Sequence, residues 1–178
     1  MSLLAGKQLH ELIDMGVIDA LHENVNAASI DVRLGNEFCF ERSKASSVVD
    51  LREKESLSFF QFQTDARLDI DPGRFFLAHT METFNLPDNI SAEFKLRSSV
   101  ARSGLQHMLA GWADAGFNGA QLTLEFKNVT EHHTLVIAPG MRIGQVIFYQ
   151  HESAGDNSYA VKGRYNGQRG VQPSKGAR

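Results

Sequence analysis

The stretch that decides how this chain folds runs from residue 93 to residue 148. Its three informative parts are Phe94-Lys95-Leu96-Arg97-Ser98-Ser99-Val100-Ala101-Arg102, Gln121-Leu122-Thr123-Leu124-Glu125-Phe126 and Pro139-Gly140-Met141-Arg142-Ile143-Gly144-Gln145-Val146-Ile147-Phe148. The second part alternates polar and apolar residues, which is typical of a half-buried strand. The first part holds two arginines and two adjacent hydroxyls, a set that suits an anion such as a phosphate. The stretch therefore predicts a nucleotide site on a β scaffold.

Short runs rich in strand-forming residues recur on both sides of this stretch, and turn signals such as Asp71-Pro72-Gly73 separate them. The predicted strands are 28–34, 37–40, 59–62, 67–70, 75–80, 90–94, 121–126, 134–137 and 142–149. One amphipathic helix is predicted over 7–15, ended by Gly16, and the polar segment 41–56 is predicted to be a surface loop. Many short strands with little helix predict a mainly β domain, a sandwich or a barrel.

Composition limits the classes of function. A chain of 178 residues is expected to form one domain, and its formal net charge of −3 leaves no basic footprint for a nucleic-acid partner. The sequence has no long apolar run, so we expect no signal peptide and no membrane span. The single cysteine, Cys39, fits a reducing cytoplasm. It also argues against the zinc centre of the zinc-dependent nucleobase deaminases, which uses at least two cysteines.

Glu125 is the sharpest candidate for acid–base chemistry. It is the lone carboxylate in its predicted strand, between Leu124 and Phe126, and a period of two places it on the same face as Gln121 and Thr123. Burial would raise the pKa of its carboxyl, and a carboxyl with a raised pKa can both take and return a proton near neutral pH. The same pattern equally permits a glutamate on a solvated outer face.

The cluster Arg97, Ser98, Ser99 and Arg102 is the candidate for anion binding. In a short helical turn, Ser98 and Arg102 would lie on one face, while the other two residues point elsewhere and serve a second subsite. The alternative is a solvated turn with an N-capping serine. Asp114 lies among small residues, where its ordinary role is to stabilise a tight turn. The seven histidines show no metal-ligand spacing and are interpreted as surface or core residues.

The segment 152–178 is predicted to be a mobile C-terminal lid on the single domain 1–178. It is rich in Gly, Ser, Asn and Arg and poor in apolar residues, so a ligand or a neighbour would be needed to order it. It carries several hydrogen-bond donors suited to phosphates, including Tyr159, Lys162, Arg164 and Gln168. Such a segment either closes over phosphates or has no binding role.

Four motifs follow one another along the chain: Arg97-Ser98-Ser99-x-x-Arg102-x-Gly104-Leu105, Ala110-Gly111-x-x-Asp114-x-Gly116-Phe117-x-Gly119, Thr123-Leu124-Glu125 and Pro139-Gly140-Met141-x-Ile143-Gly144-Gln145. Together with 28–34, 86–88 and 164–170, they resemble the bacterial dCTP deaminase family, which is homologous to the trimeric dUTPases. The resemblance implies a distorted β-barrel or jelly-roll of the dUTPase-like type with one or two short helices. It also implies a homotrimer with active sites shared between subunits.

The activity implied by this resemblance is the zinc-independent deamination of dCTP to dUTP and ammonia, which feeds dUMP and dTTP synthesis. Glu125 would be the acid/base that activates water for attack at C4 of cytosine, and Ser98, Arg102 and the main chain at Ala110 would hold that water and the carboxylate. The implied residues for binding nucleotides of the dCTP, dUTP and dTTP type are Arg97, Ser99, Asp114, Phe117, Thr123, Gln145, Tyr159, Lys162, Arg164 and Gln168. Mg²⁺ would be carried by the triphosphate, without metal ligands from the protein.

Two alternatives stay open. The first is a bifunctional enzyme that deaminates dCTP and then releases pyrophosphate to give dUMP. A pure dUTPase is disfavoured, because the tail has no phenylalanine to stack on uracil and Glu125 would have no task. The second is a non-catalytic nucleotide-binding module, in which Glu125, Ser98 or Arg102 should be altered. All three are present.

Overall fold

The computed structural model describes residues 2–42, 48–52 and 58–177. Strands predominate in these ranges: β1 (Ser2–Leu3), β2 (Ile30–Arg33), β3 (Glu37–Glu41), β4 (Phe59–Gln63), β5 (Leu68–Ile70), β6 (Phe75–Asn85), β7 (Ile90–Leu96), β8 (Leu105–His107), β9 (Trp112–Ala113), β10 (Asn118–Asn128), β11 (Leu135–Ile137) and β12 (Arg142–Gln150). The α-helices are α1 (Lys7–Asp14), α2 (Ser98–Arg102) and α3 (Tyr159–Lys162), and two 3-10 turns lie at His22–Asn24 and Gly155–Asn157. No helix within the described ranges has the length and apolar character that crossing a membrane requires.

The strands pair antiparallel in two five-stranded sheets and one two-stranded sheet. The first sheet has the order β1-β12-β7-β9, with β2 also paired to β12, and the second has the order β4-β3-β6-β10-β8. β5 and β11 form the small sheet. Neither large sheet closes into a barrel over the described residues, and the arrangement is that of a distorted jelly-roll. The mainly β prediction is confirmed.

The core lies between the two large sheets. Its largest fully buried side chains are aromatic, and they come from strands of both sheets: Phe38, Phe76, Phe84, Phe126 and Phe148. The ring centroids of Phe76 and Phe126 are 5.4 Å apart, so neighbouring strands of the second sheet interlock. Helix α1 adds Leu9 and Leu12, which share one face because they are three residues apart. Burial of such apolar surface is the main stabilising contribution to the fold.

A buried ion pair connects the two large sheets. The Arg33 backbone N–H and Nε each donate to a different oxygen of the Glu82 carboxylate at 2.8 Å, and the Glu82 side chain is fully buried. Burial raises the pKa of Glu82, and the Arg33 bonds oppose that rise. Removing one partner would leave a buried charge unpaired, which is strongly destabilising. Glu82 lies on β6 beyond residue 80, where the predicted strand ends, and Arg33 is the last residue of β2.

Most predicted elements are present, and the differences have local causes. The strands that were missed, β1, β8 and β9, have two or three residues each, too few for a period to show. Helix α3 lies in the tail, so the structure has one helix more than predicted. It begins after Ser158, whose hydroxyl accepts a bond from the Ala160 N–H at 3.3 Å as an N-cap. The predicted loop 41–56 falls largely outside the described residues.

The tail folds back along the chain and lies against β10. The Gln172 N–H donates to Thr123 Oγ1 at 3.1 Å, and the Val171 N–H donates to a Glu37 carboxylate oxygen at 2.8 Å. Val171 is fully buried in a small apolar cluster with Cys39 and Leu77. A few well-placed contacts therefore hold a segment of low apolar content. Its mobility stays a prediction.

Gly116, in the turn before β10, lies against the tail. Gly116 has φ +90°, and a Cβ added there would lie 2.6 Å from the Ala160 nitrogen. Gly140 has φ +82°, and nothing lies within 4 Å of a Cβ added there. A substitution at Gly140 therefore causes similar backbone strain without a steric clash. We expect Gly116→Ala to lower the free energy of unfolding by about 1 kcal/mol or more beyond the loss caused by Gly140→Ala.

Chemical denaturation of both variants beside the unmodified chain measures this difference. Equal losses would show that the tail does not pack against the turn at residue 116.

Candidate functional site

Residues 108–111 cross from the second sheet to the first and place a short stretch of main chain beside Glu125. The Met108 N–H donates to the Glu125 carbonyl at 3.0 Å, and the Phe94 N–H donates to the Gly111 carbonyl at 2.7 Å. Leu109 has φ +66°, and no other non-glycine residue in the described ranges has a positive φ. A Cβ on Gly111 would lie 2.6 Å from the Phe94 carbonyl oxygen. The crossing is therefore tight, and it carries strain of the kind that concentrates at functional sites.

A cavity of about 360 Å³ opens beside this crossing. Its walls are mainly apolar and aromatic, with a few polar groups among them, and they consist of Phe59, Phe75, Leu77, Ala110, Trp112, Ala113, Asp114, Phe117, Leu122, Thr123, Glu125, Tyr159, Tyr165, Gln168, Gln172 and Ser174. Apolar walls with a few placed polar groups are typical of small-molecule sites, and the volume lies in their usual range.

β10 brings Glu125 to this cavity. Thr123 and Glu125 line it, while Leu124 and Phe126 are buried in the core, so the predicted alternation is confirmed there. The register of β10 against β6 shifts between Gln121 and Thr123. Such an irregularity changes the direction of the side chains on one side of it. Gln121 consequently does not line the cavity, although the alternation grouped it with Glu125.

The carboxyl of Glu125 is in an unusual environment. Burial raises its pKa to about 7. Its Oε2 atom is buried without a hydrogen-bond partner and lies 3.5 Å from Nε2 of His107. Burial also lowers the pKa of His107 to about 4, so this imidazole is neutral at pH 7 and the contact is not an ion pair. A carboxyl that titrates near neutrality is suited to acid–base catalysis.

Asp114 forms the turn that the sequence predicted and also faces the cavity. The Phe117 N–H donates to the Asp114 carbonyl at 3.0 Å and closes the turn. The Trp112 indole N–H donates to Asp114 Oδ1 at 2.8 Å, and its ring stacks on Tyr149 with centroids 6.0 Å apart. Asp114 is therefore held by a side chain as well as by its own turn.

Gln168 reaches the cavity from the tail. Its Nε2 donates to the Gln121 carbonyl at 2.6 Å, while its Oε1 is buried and has no partner. An unsatisfied buried acceptor is costly, and a bound ligand or a water molecule commonly satisfies it. Together with Glu125 Oε2, the cavity has two such acceptors.

The structure brings half of the predicted site residues together. Those that line the cavity are Glu125, Ala110, Asp114, Phe117, Thr123, Tyr159 and Gln168. Those that do not are Arg97, Ser98, Ser99, Arg102, Gln145, Lys162 and Arg164. The roles of both sets in nucleotide binding stay predictions.

The predicted anion-binding cluster lies on and beside helix α2, and the helical turn itself is as predicted. Arg97 forms an ion pair with Asp31 rather than facing the cavity. Gln145 Oε1 accepts a hydrogen bond from the Ser29 hydroxyl at 2.8 Å.

Lys162 and Arg164, the two cationic tail residues predicted to bind the nucleotide, contact other parts of the tail. Lys162 donates to Asn157 Oδ1 at 2.7 Å. Arg164 donates to the Gly176 carbonyl at 2.7 Å.

Sequence reasoning missed several residues at the cavity. His107 was classed as a surface or core histidine, and it is buried but also faces Glu125. Trp112, Tyr165, Gln172 and Ser174 were not predicted to line a site. The aromatic character of Trp112 and Tyr165 is the only sequence signal that could have suggested their place at the cavity. Gln172 and Ser174 reach the cavity because the tail folds back.

Comparison with known proteins identifies the family. Residues 3–151 match the family model described as dCTP deaminase-like. A protein of Persephonella marina named "dCTP deaminase, dUMP-forming" is 37% identical over 178 residues, covering 97% of this chain and 96% of that protein. A protein of the same name from Methanoregula boonei is 41% identical over 155 residues, covering 85% and 82% of the two chains.

A solved structure supports the fold. The crystal structure of 2′-deoxycytidine 5′-triphosphate deaminase from Agrobacterium tumefaciens superposes with a TM-score of 0.66 at 20% identity, over 82% of this chain and 47% of that one. The jelly-roll is therefore shared beyond clear sequence similarity. With the family match over most of its length and relatives above 30% identity, this chain belongs to the dCTP deaminase-like family.

Proposed function

We propose that the chain hydrolyses dCTP to dUMP, with release of ammonia and pyrophosphate. This is the bifunctional alternative from the sequence analysis, and it is preferred to a reaction that stops at dUTP because the relatives are named dUMP-forming. The observation that carries the deamination is Glu125, a carboxyl with a pKa of about 7 in the wall of a nucleoside-sized cavity. A non-catalytic module would not need a destabilising buried carboxyl at this place.

Deamination needs one group that first removes a proton and then returns it. Ionised Glu125 would take a proton from a water molecule as the water oxygen bonds to C4 of cytosine. The same carboxyl would pass this proton to N3, then take the second proton from the new C4 hydroxyl and pass it to the amino group. The C4–N bond would then break to release ammonia and leave the C4 carbonyl of uracil. A pKa near the operating pH suits both transfers. We propose this chemistry without zinc, since the zinc deaminases use at least two cysteines and the chain has one.

The cavity walls suit a deoxycytidine moiety. Phe117 is held between Phe84 and Tyr159, with ring centroids 6.4 and 5.7 Å away, and would form a fixed wall for the deoxyribose. Asp114 Oδ1 is occupied by Trp112, and the other carboxylate oxygen would accept the 3′-hydroxyl. The unpartnered Oε1 of Gln168 would accept a donor from the base or from water.

Release of pyrophosphate requires a second water molecule to attack the α-phosphorus. Asp114 is the second carboxylate on the cavity and is the candidate to orient that water. Phosphoryl transfer depends mainly on positioning and on neutralising phosphate charge. Mg²⁺ belongs to the substrate here: the triphosphate oxygens and water molecules would bind it, without metal ligands from the protein.

We propose that a neighbouring subunit of a homotrimer completes the site. Its Arg97 and Ser99 would bind the triphosphate, and its Ser98 and Arg102 would hold the Glu125 carboxylate and the attacking water. Arg97, Ser98, Ser99 and Arg102 do not line the cavity of their own chain. Trp112 in the cavity wall is 53% accessible, and Leu109, next to the wall residue Ala110 in the chain, is 85% accessible. Exposed apolar side chains of this size are common where a partner covers the surface. A neighbour that presents its α2 to this edge would complete the site.

The reaction is tested by incubating the protein with dCTP and Mg²⁺ and separating the products by chromatography. We expect dUMP, ammonia and pyrophosphate in equal amounts, with no dCMP, because deamination and hydrolysis act on one bound nucleotide. Accumulation of dUTP as the final product would remove the second step from the proposal. Unchanged dCTP would contradict both steps.

The pH dependence of kcat/KM for dCTP follows from the raised pKa of Glu125. Only the ionised carboxylate can take a proton from water, so kcat/KM should fall about tenfold per pH unit below pH 7 and level off above it. Glu125→Gln should lower turnover by ~10²-fold or more at pH 8 and abolish this titration.

A fold control accompanies the variant. The pKa of Glu125 is higher in the folded protein than in the unfolded chain, so ionisation of its buried carboxyl lowers the stability of the fold. This loss is complete above pH 7, where the carboxyl is ionised. Glu125→Gln should therefore unfold at no lower temperature than the unmodified protein at pH 8. Near-normal turnover in this variant would refute the role of Glu125.

Shared sites are tested by complementation. Glu125→Gln and Arg102→Ala should each be nearly inactive as homotrimers. Mixed trimers, formed by dissociating and reassociating the two together, should regain activity, because some sites then combine an intact Glu125 with a neighbour's intact Arg102. Activity that stays at background in confirmed mixed trimers would place both residues in the site of one chain.

A further inference from the structure

A buried histidine and the carboxyl of Glu125 point at one another without a formed hydrogen bond. Nε2 of His107 lies 3.5 Å from Oε2 of Glu125. Both atoms are buried, and neither has another hydrogen-bond partner. Unsatisfied buried polar atoms are rare in folded proteins, and two that face each other at this distance need to approach by only a few tenths of an ångström.

The direction of the imidazole is set by its packing. His107 lies opposite Phe126 in the pairing of β8 with β10, one residue along from Glu125. Its ring contacts Phe94 and Phe126, with centroids 4.7 and 5.6 Å away, and only 5% of the residue is accessible. Two aromatic neighbours therefore restrict the ring and keep Nε2 close to the carboxyl.

The charge of the pair matters as much as its geometry. A protonated imidazole beside Oε2 would lower the pKa of Glu125 and make its carboxylate a poorer proton acceptor at neutral pH. Burial keeps His107 neutral, since its pKa falls to about 4. A neutral imidazole can still donate one N–H, and so it can orient the carboxylate without adding a full charge.

Within the described part of this chain, no side chain other than His107 lies within hydrogen-bonding or ion-pairing distance of Oε2. Across the main cavity the titratable side chains are Asp114, Tyr159 and Tyr165, and on the β6 side the residue opposite Glu125 is the apolar Leu77. On the far side of His107, Glu93 and Lys95 line a second cavity and form an ion pair with each other.

We propose that His107 is a positioning residue for the reaction: its Nε2–H donates to Oε2 of ionised Glu125 and fixes that oxygen, so that Oε1 faces the attacking water. The proposal rests on the proposed function of Glu125. It adds a group that touches neither the substrate nor the water and acts only through the carboxyl.

Two substitutions at residue 107 separate the hydrogen bond from the packing. His107→Phe keeps an aromatic ring between Phe94 and Phe126 but has no donor, whereas His107→Gln has an amide N–H of similar reach. We expect His107→Phe to lower kcat for dCTP by roughly 10- to 100-fold, the effect of losing one hydrogen bond to a charged group. KM should change by less than about threefold, and His107→Gln should recover most of kcat.

A second measurement needs no substrate. The pKa of the Glu125 carboxyl is followed by NMR of ¹³C-labelled glutamate, with Glu125→Gln used to assign the signal. Loss of a donor to the ionised form should raise this pKa by roughly one unit or more in His107→Phe, and by less in His107→Gln. If the phenylalanine variant does not fold, the smaller His107→Leu takes its place.

The outcomes are distinct. An unchanged carboxyl pKa in the donor-free variant, or equal losses of kcat in the phenylalanine and glutamine variants, would make His107 a packing residue only and overturn the proposal. Unmodified protein that does not convert dCTP would instead remove the proposed function, while the carboxyl titration would still report whether the two side chains are bonded.

Discussion

The pairing of β10 with β6 is the constraint on which the rest of the structure depends. Each strand has eleven residues, and their register runs from Asn118 opposite Asn85 to Lys127 opposite Phe75. Because side chains alternate across a strand, this register sends Phe126 into the core and Glu125 into the cavity. A slip of one residue would exchange the two faces, exposing an aromatic ring and burying a carboxylate within the core. The fold and the chemistry thus depend on the same ladder of hydrogen bonds.

Burial of Glu125 has a cost that the surrounding core must offset. Moving its pKa from 4.5 to about 7 corresponds to roughly 3 kcal/mol of lost stability when the carboxyl is ionised. Leu109, with its positive φ, adds strain a few residues from the same cavity. Departures from the ordinary rules of folding cluster at functional sites, and here they lie at the crossing between the sheets. The large aromatic core is what allows such a site to persist.

The sequence predicted what local patterns can encode. The alternation around Leu124 identified β10 and the face that Glu125 shares with Thr123, but it left open whether that face is buried. The helical turn considered for 97–102 is present as α2. Sequence reasoning failed where a contact depends on distant segments. β8 is too short to show a period, so His107 could not be placed beside Glu125, and the shift that turns Gln121 away is invisible in a simple alternation. The sequence also could not predict that Arg97 is separated from the cavity, because the partner of an arginine depends on the folded structure. Here that partner is Asp31.

Because Val171 packs on Cys39, chemical modification of this cysteine can report whether the tail is docked. The chain has one cysteine, and it is fully buried in a small cluster with Val171 and Leu77. Burial raises the pKa of its thiol to about 11, so little reactive thiolate exists while the segment is docked. Lifting of the segment would give the sulfur access to solvent. The rate at which a thiol reagent modifies the native protein would then report such openings without a dye, a tag or an engineered residue. Slower modification in the presence of a nucleotide would measure how firmly that nucleotide holds the tail in place.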